Sequence, residues 1–465
     1  MNLVGSVNIF GRVAIALFVP FAVAVYLAAR GRWSPTKTTV IVLLAGVLLL
    51  PSVHAIDWPG VPKLGKREMA VLGATLGLLL TYPARICASP GRAVWIVLIV
   101  YPVSAFVTAF TNSDMLQYGP RTLPGLRPYD ALAMSINDIL HYVLPFHLGR
   151  VLCRTSEDVR VVLRAWVAAA LLYSVPMLLE LRISPQMHVW VYGFFPHSWV
   201  QASRGGGFRA QVFLEHGLTL AFFMAVAIVL AAALTRARER VYRIPPGALL
   251  LFLFGVLLLD HSLGAAMYAF ACIPLVVLTG ARVQLLVCTV LVAISISYPM
   301  IRPSPLFPDE QIITAIEGIN AERAESLAYR FRHERLMLDK AIERFAWGWG
   351  GYGRPRIFDP ITGADLSTQD GVWIIILGAR GYVGMLTTFG LLLWWVVYAF
   401  IRIGRFRDKR DARLVAGLGV AVAITGIEML PNAPFPLLPF FLAGALSRLA
   451  RELPAQHLAY RSHRS

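Results

Sequence analysis

The stretch Val212 to Arg243 reads VFLEHGLTLAFFMAVAIVLAAALTRARERVYR. From Gly217 to Leu234 it carries no charged residue, and about 20 mainly apolar residues in a helix suffice to cross the hydrocarbon core of a bilayer. It opens on Glu215 and His216 and closes on Arg236, Arg238, Arg240 and Arg243. Arginines at one end of such a run mark the cytoplasmic side, so the acid and the histidine belong to the outer side.

The same pattern recurs along the chain. Apolar runs of spanning length lie near 10–29, 38–54, 68–84, 92–111, 129–149, 160–180, 211–234, 245–261, 264–280, 283–300, 382–401, 413–430 and 434–450. We expect an all-α polytopic membrane protein of about 13 transmembrane helices. Composition agrees: of 465 residues, 57% are hydrophobic and 15% charged, more apolar chain than one soluble core absorbs. The net charge of +17 would point to nucleic acid on a soluble protein. Here the arginines gather in Arg30–Arg32, Arg150–Arg164, Arg236–Arg243 and Arg402–Arg413. Counting helices puts all four groups on one side, which makes it cytoplasmic and accounts for the excess. The N-terminus is then outside and the C-terminus inside. The first run, starting near Phe10, has no basic segment before it and reads as a retained helix. The connector with Lys63, Lys66 and Arg67 runs against the count, which places it outside.

Two long polar loops, 181–210 and 301–381, also fall outside. A loop as long as the second carries structure and function. Its stretch from Asp309 to Phe345 has helical periodicity and predicts a helical cap over the bundle. The chain thus divides into an N-terminal bundle (1–300), the outer helical loop (301–381), and C-terminal spans with an inner tail (382–465). Cys87, Cys153, Cys272 and Cys288 have no metal spacing, so neither a disulfide nor a metal site is expected.

Ionisable residues inside spans are costly and usually functional. Glu180, Glu215, His216, Asp260, His261 and Glu428 all fall near outer helix ends, with Asp138 and His141 deeper. They predict one hydrated cavity opening outward. Two loop motifs add basic residues to it. Arg204-Gly205-Gly206-Gly207-Phe208-Arg209 precedes a span, and glycines at a helix start suit an anion. Tyr329-Arg330-Phe331-Arg332-His333-Glu334-Arg335 is the second, in which Arg330/Glu334 and Arg335/Asp339 are i,i+4 neighbours.

From Arg204 to the Pro431-Asn432-Ala433-Pro434 segment, over roughly 200–450, the chain resembles the O-antigen ligase and O-antigen polymerase superfamily. The resemblance rests on the order of Arg204–Gly217, the Ser262-Leu263-Gly264-Ala265 turn, Ser326–Arg335, the Gly348/Gly350 motif and the glycine-punctuated segment after Asp370. It implies a metal-independent inverting glycosyltransferase of the bacterial inner membrane, acting at the periplasmic face on glycan carried by undecaprenyl diphosphate. The partners implied are that donor, a glycan or lipid acceptor and other polysaccharide-assembly proteins, with no cofactor and no nucleic acid. Arginines would hold the diphosphate, a role that falls to Arg204, Arg209, Arg330, Arg332 and Arg335. Glu215, His216, Trp349 and Tyr352 join the substrate-binding set. Two motifs depart from the family: Ser-Arg-Gly is here Ser262-Leu263-Gly264, and His-Asn is Gln369-Asp370. Asp370 is then the first choice for the base, followed by Glu334 and His333. The rival readings are a polysaccharide flippase or other transporter, which needs a pathway through the midplane, and a non-catalytic subunit of an exopolysaccharide machine.

Overall fold

The computed structural model describes residues 7–57, 62–88, 91–197, 202–204, 207–241, 243–304, 307–433 and 437–462. Described strands occur as three two-stranded antiparallel pairs, and the rest of the regular structure is helix. In chain order the helices are α1 (Ile9–Ala29), α2 (Pro35–Leu49), α3 (Lys66–Thr81), α4 (Pro83–Ile86), α5 (Arg92–Thr111) and α6 (Pro128–Asp138). Next come α7 (Leu144–Leu152), α8 (Ser156–Ile183), α9 (Met187–Tyr192), α10 (Gly217–Ala237), α11 (Pro246–Leu259) and α12 (Leu263–Leu278). The remainder are α13 (Ala281–Ile301), α14 (Asp309–Glu317), α15 (Ala321–Ile342), α16 (Val372–Arg402), α17 (Lys409–Glu428) and α18 (Leu437–Ser462).

Among the described residues, six helical segments are long and apolar enough to cross a membrane: α1, α5, α8, α10, α13 and α16. Helices α2, α11 and α12 are as apolar but shorter. Large apolar side chains such as Leu172, Phe110, Leu251 and Leu278 stay exposed on the flanks. In water they would form an unstable patch; in lipid they face their own kind of solvent. The chain is therefore an all-α membrane-embedded protein.

Helix α10 is the central post, buried along nearly its whole length against α8, α11, α12 and α17. Its alanines allow that approach: a Cβ built on Gly417 of α17 would stand 2.3 Å from the Ala233 Cβ. Small residues at crossings are how membrane helices gain van der Waals contact where lipid offers no hydrophobic drive.

Several elements differ from the sequence reading, each for a local reason. The 211–234 run becomes helical only at Gly217, because the His216 ring accepts the Leu218 N–H at 2.9 Å and caps the helix there. The preceding N–H groups of Gln211 and Val212 go to Glu180 (2.8 and 2.7 Å), and Val212 takes a left-handed φ of 53°. The 129–149 run is α6 and α7 joined by a π turn, Ile139–Val143. The periodic stretch after Asp309 is two helices, because the Asn320 side chain accepts the Arg323 N–H at 3.0 Å and starts a new one. From Arg344 to Asp370 the chain is largely irregular.

The break in α16 is the feature that positions the site. At Gly381 the backbone sits at φ 63°, ψ −170°, a region essentially open to glycine alone. The helical hydrogen bonds lost there are replaced from outside. Tyr382 and Val383 donate to the Phe345 and Ala346 carbonyls (3.0 and 3.2 Å), while Trp349 and Gly350 donate to the Gly378 and Ala379 carbonyls (2.8 and 3.0 Å). Segment 345–350 is thus clasped into the helix. A Cβ at Gly348 would meet the backbone of Ala379 and Arg380 at 2.6 Å, which explains the Trp-Gly-Trp-Gly run without invoking a ligand.

Candidate functional site

Helix α16 starts on the end of α17. The Val372 and Trp373 N–H groups donate to the Asn432 and Met429 carbonyls (3.2 and 3.3 Å), so Asp370 is held just ahead of a helix start, beside Glu428 at the end of α17. Helix α15 lies over this junction. Tyr329 Oη is 3.0 Å from Thr368 Oγ1. Arg330 donates to the Pro431 carbonyl at 3.4 Å, and its Nε is 3.7 Å from Asp370 Oδ2.

One residue fixes α15 in this position. Glu334 accepts from Arg302 Nε (2.8 Å), Tyr298 Oη (2.9 Å) and Trp373 Nε1 (3.1 Å). Arg302, fully buried, also pairs with Asp309 at 3.0 Å and lies over the rings of Phe307 and Phe331. Burial pushes the Glu334 carboxyl above its usual range, against the opposing pull of these donors. With both oxygens engaged, Glu334 anchors α15 to α13 and α16 and is poorly placed to accept a substrate proton.

Two cavities meet at this junction. One, of about 240 Å³, is lined by Arg330, Phe331, Glu334, Thr368 and Asp370 among others. The other, of about 300 Å³, is lined by His197, Glu215, His216, Asp370, Glu428 and Asn432. Asp370 belongs to both. In the second, the His197 and His216 rings meet edge to face with centroids 4.5 Å apart, and burial lowers the basicity of His197. Glu428 accepts from Asn432 at 2.9 Å. Glu215 pairs with Arg67 at 2.7 Å. An acid shared by a cavity with Arg330 in its wall and an acid- and histidine-walled one can take a proton from a group in either.

The expected single cavity therefore divides. Glu215, His216 and Glu428 come together around Asp370. Glu180 instead accepts three backbone N–H groups, from Met187, Gln211 and Val212, and staples the 209–216 segment. Asp260 accepts the Ala210 N–H at 2.9 Å and faces Arg209. The His261 ring lies where a Cβ on Gly207 would be, 2.8 Å away. Asp138 pairs with Arg380 and His141 with Glu68, each at 2.7 Å, around the π turn.

The five candidate arginines also separate. Arg330 is at the cavity. Arg209 is buried against Gly217 and lines neither cavity. Arg332 is exposed and lines neither. Arg335 pairs with Asp309 at 2.8 Å. Arg204 lies in a two-residue strand paired with Gly207 and Phe208; its side chain, like Gly205 and Gly206, lies outside the described residues. That pairing, and the ten or more residues before α10, remove the glycine run from the helix start it was expected to occupy. The i,i+4 pairs on α15 are likewise replaced by long-range ones: Glu334 turns to Arg302 and Arg335 to Asp309, because buried partners outcompete solvated neighbours.

His333 packs its ring 4.2 Å from that of Tyr329 and lines neither cavity. Trp349 is buried, donates to the Lys340 carbonyl at 2.7 Å and carries the Lys340 ammonium 3.7 Å above its ring, so it holds α15 to the clasp and cannot stack on a sugar. Tyr352 is exposed but donates to Asp130 at 2.6 Å, away from Asp370. Sequence reasoning missed Arg67, Arg302 and Arg380. For Arg67 a signal existed: the basic connector that ran against the charge count. Its Lys63 pairs with Asp57, and the buried Lys66 donates to Ser52 and to the Phe213 carbonyl. Arg67 pairs with Glu215 at 2.7 Å.

Among the described residues no group of three or more His, Cys, Asp or Glu side chains is arranged to hold a metal ion. The fold and the site thus define a membrane-embedded helical bundle with an acid-, histidine- and arginine-lined junction at one end. No protein-family model matches the chain, and no curated protein is significantly similar to it.

Proposed function

We propose that the chain is a glycosyltransferase of the O-antigen ligase/polymerase type in the bacterial inner membrane. It has about 13 spans, a periplasmic N-terminus, a cytoplasmic C-terminus and α14–α15 as a periplasmic cap. It transfers or polymerises glycan from an undecaprenyl-diphosphate donor. The observation that carries this reading is Asp370, common to two adjoining cavities and 3.7 Å from Arg330. The acceptor hydroxyl attacks the anomeric carbon and its proton passes to the Asp370 carboxylate. The bond from that carbon to the diphosphate oxygen breaks, and the diphosphate departs with the electron pair. Arg330 is placed to stabilise the charge that develops. Glu215, His216 and Glu428 offer hydrogen-bond partners for sugar hydroxyls in the 300 Å³ cavity.

Deleting the gene and analysing envelope glycans tests this. Accumulated single repeats assign polymerisation, and long unattached polymer assigns ligation. Unchanged glycans, or lipid-linked repeats trapped on the cytoplasmic face, overturn the reading.

A further inference from the structure

At the other end of α16, about 24 Å of helix beyond the break at Gly381, lies a cavity of about 700 Å³ that the proposed reaction does not use. It sits where α5 begins and α7 and α16 end. Arg92, Arg150 and Arg451 line it together with Trp95, Trp394 and Trp395. Among the described residues no carboxylate lines it. Glu452, one residue along, is held by Arg448 at 2.5 Å.

Two donors in this wall are unsatisfied. Arg150 is only 5% exposed, makes one hydrogen bond to Ser447 Oγ at 3.1 Å and, among the described residues, has no ion pair. Its Nε is buried without a partner, as is the indole Nε1 of Trp395. A buried guanidinium without a counter-ion is costly, and buried N–H groups almost always find an acceptor. Trp95 and Trp394, by contrast, stand about half exposed on the flank of the bundle, where lipid chains run. The site is therefore cationic and donor-rich at its inner wall and aromatic towards the bilayer.

We propose that this cavity holds an anionic phospholipid, its phosphate against Arg150, Arg92 and Arg451 and its acyl chains along Trp95 and Trp394. Basic pockets between membrane helices, on the side of the basic connectors, are where such headgroups bind. A zwitterionic lipid lacks the net charge that three arginines call for, and free phosphate leaves the aromatic flank uncovered.

Native mass spectrometry of the detergent-solubilised chain, titrated separately with dioleoyl phosphatidylglycerol, dioleoyl phosphatidylcholine and inorganic phosphate, tests the proposal. Phosphatidylglycerol is expected to occupy a single tight site that the other two do not fill. Each arginine near a headgroup is worth roughly five-fold in affinity, so R92Q/R451Q, which alters two exposed side chains, should bind about 25-fold more weakly. Phosphatidylglycerol with brominated chains should quench the wild-type tryptophan fluorescence more than that of W394F. Equal binding of phosphatidylcholine, saturation by inorganic phosphate alone, or undiminished affinity in R92Q/R451Q overturns the proposal. So does equal quenching in W394F.

Discussion

Replacing Asp370 by asparagine separates chemistry from scaffolding, because the proposed reaction uses Asp370 while the anchoring hydrogen bonds belong to Glu334. The Asp370–Arg330 pair is long, at 3.7 Å, and its members are 41% and 38% exposed. Such a pair contributes about 0–1 kcal/mol to stability. Losing a general base slows a reaction by about 10²–10⁴-fold. D370N should therefore melt within about 1 kcal/mol of wild type yet lose nearly all glycan transfer. E334Q makes the opposite case. It removes a charge from Arg302, which is fully buried, and breaking such a pair costs about 3–5 kcal/mol. Asp309, 3.0 Å away, remains as a second partner, so the lower end, about 3 kcal/mol, is expected. The assay pairs the envelope-glycan profile of a deletion strain carrying each variant with thermal unfolding of the purified protein. A wild-type glycan profile from D370N at normal membrane levels refutes the base assignment. Wild-type stability of E334Q refutes the anchoring role of Glu334.

Three further outcomes are expected. G381A should destabilise the protein by about 3 kcal/mol or more, since its Cβ would lie 2.3 Å from the Ala346 carbonyl carbon; thermal unfolding measures it, and a neutral result contradicts the clasp. His188 should make stability fall on acidification. Burial and the nearby Lys66 ammonium hold its basicity down to about 4, so the folded state binds fewer protons than the unfolded one between pH 4 and 6.5. Stability is then lost as pH drops through that window, by up to about 3 kcal/mol, and H188Q should flatten the profile of unfolding against pH. A cysteine placed at Glu317, an exposed residue at the end of α14, should react with an impermeant maleimide added to spheroplasts; labelling only after permeabilisation inverts the proposed topology.

The helices were legible because apolar runs outweigh every other signal. The run at 92–111 is the helix Arg92–Thr111, and the span expected from 382 begins at the residue after the Gly381 break. Asp370 was singled out through the resemblance, where Gln369-Asp370 stands in place of His-Asn, and it lines both cavities. The partners of the charged residues were not legible. Arg67 and Glu215 lie 148 positions apart, and Arg302 reaches Glu334 across 32. The sequence offers only local neighbours to pair, and on α15 those neighbours were the wrong ones. The role of Trp349 was hidden for the same reason: an indole looks alike whether it stacks on a ligand or sits beneath a lysine of a neighbouring helix.

The clasp also dictates an order of events during synthesis. Residues 309–350 leave the ribosome after α13 but before α16 and α17. Tyr298 and Arg302 are ready to receive α15 at once. The carbonyls of Gly378 and Ala379, the N–H groups of Tyr382 and Val383, and the Pro431 carbonyl under Arg330 do not yet exist. The helical pair must therefore wait, half docked, until α16 and α17 have entered the bilayer. Closure of the cavities around Asp370 therefore waits for α17, and a chain truncated before α17 has no site to close.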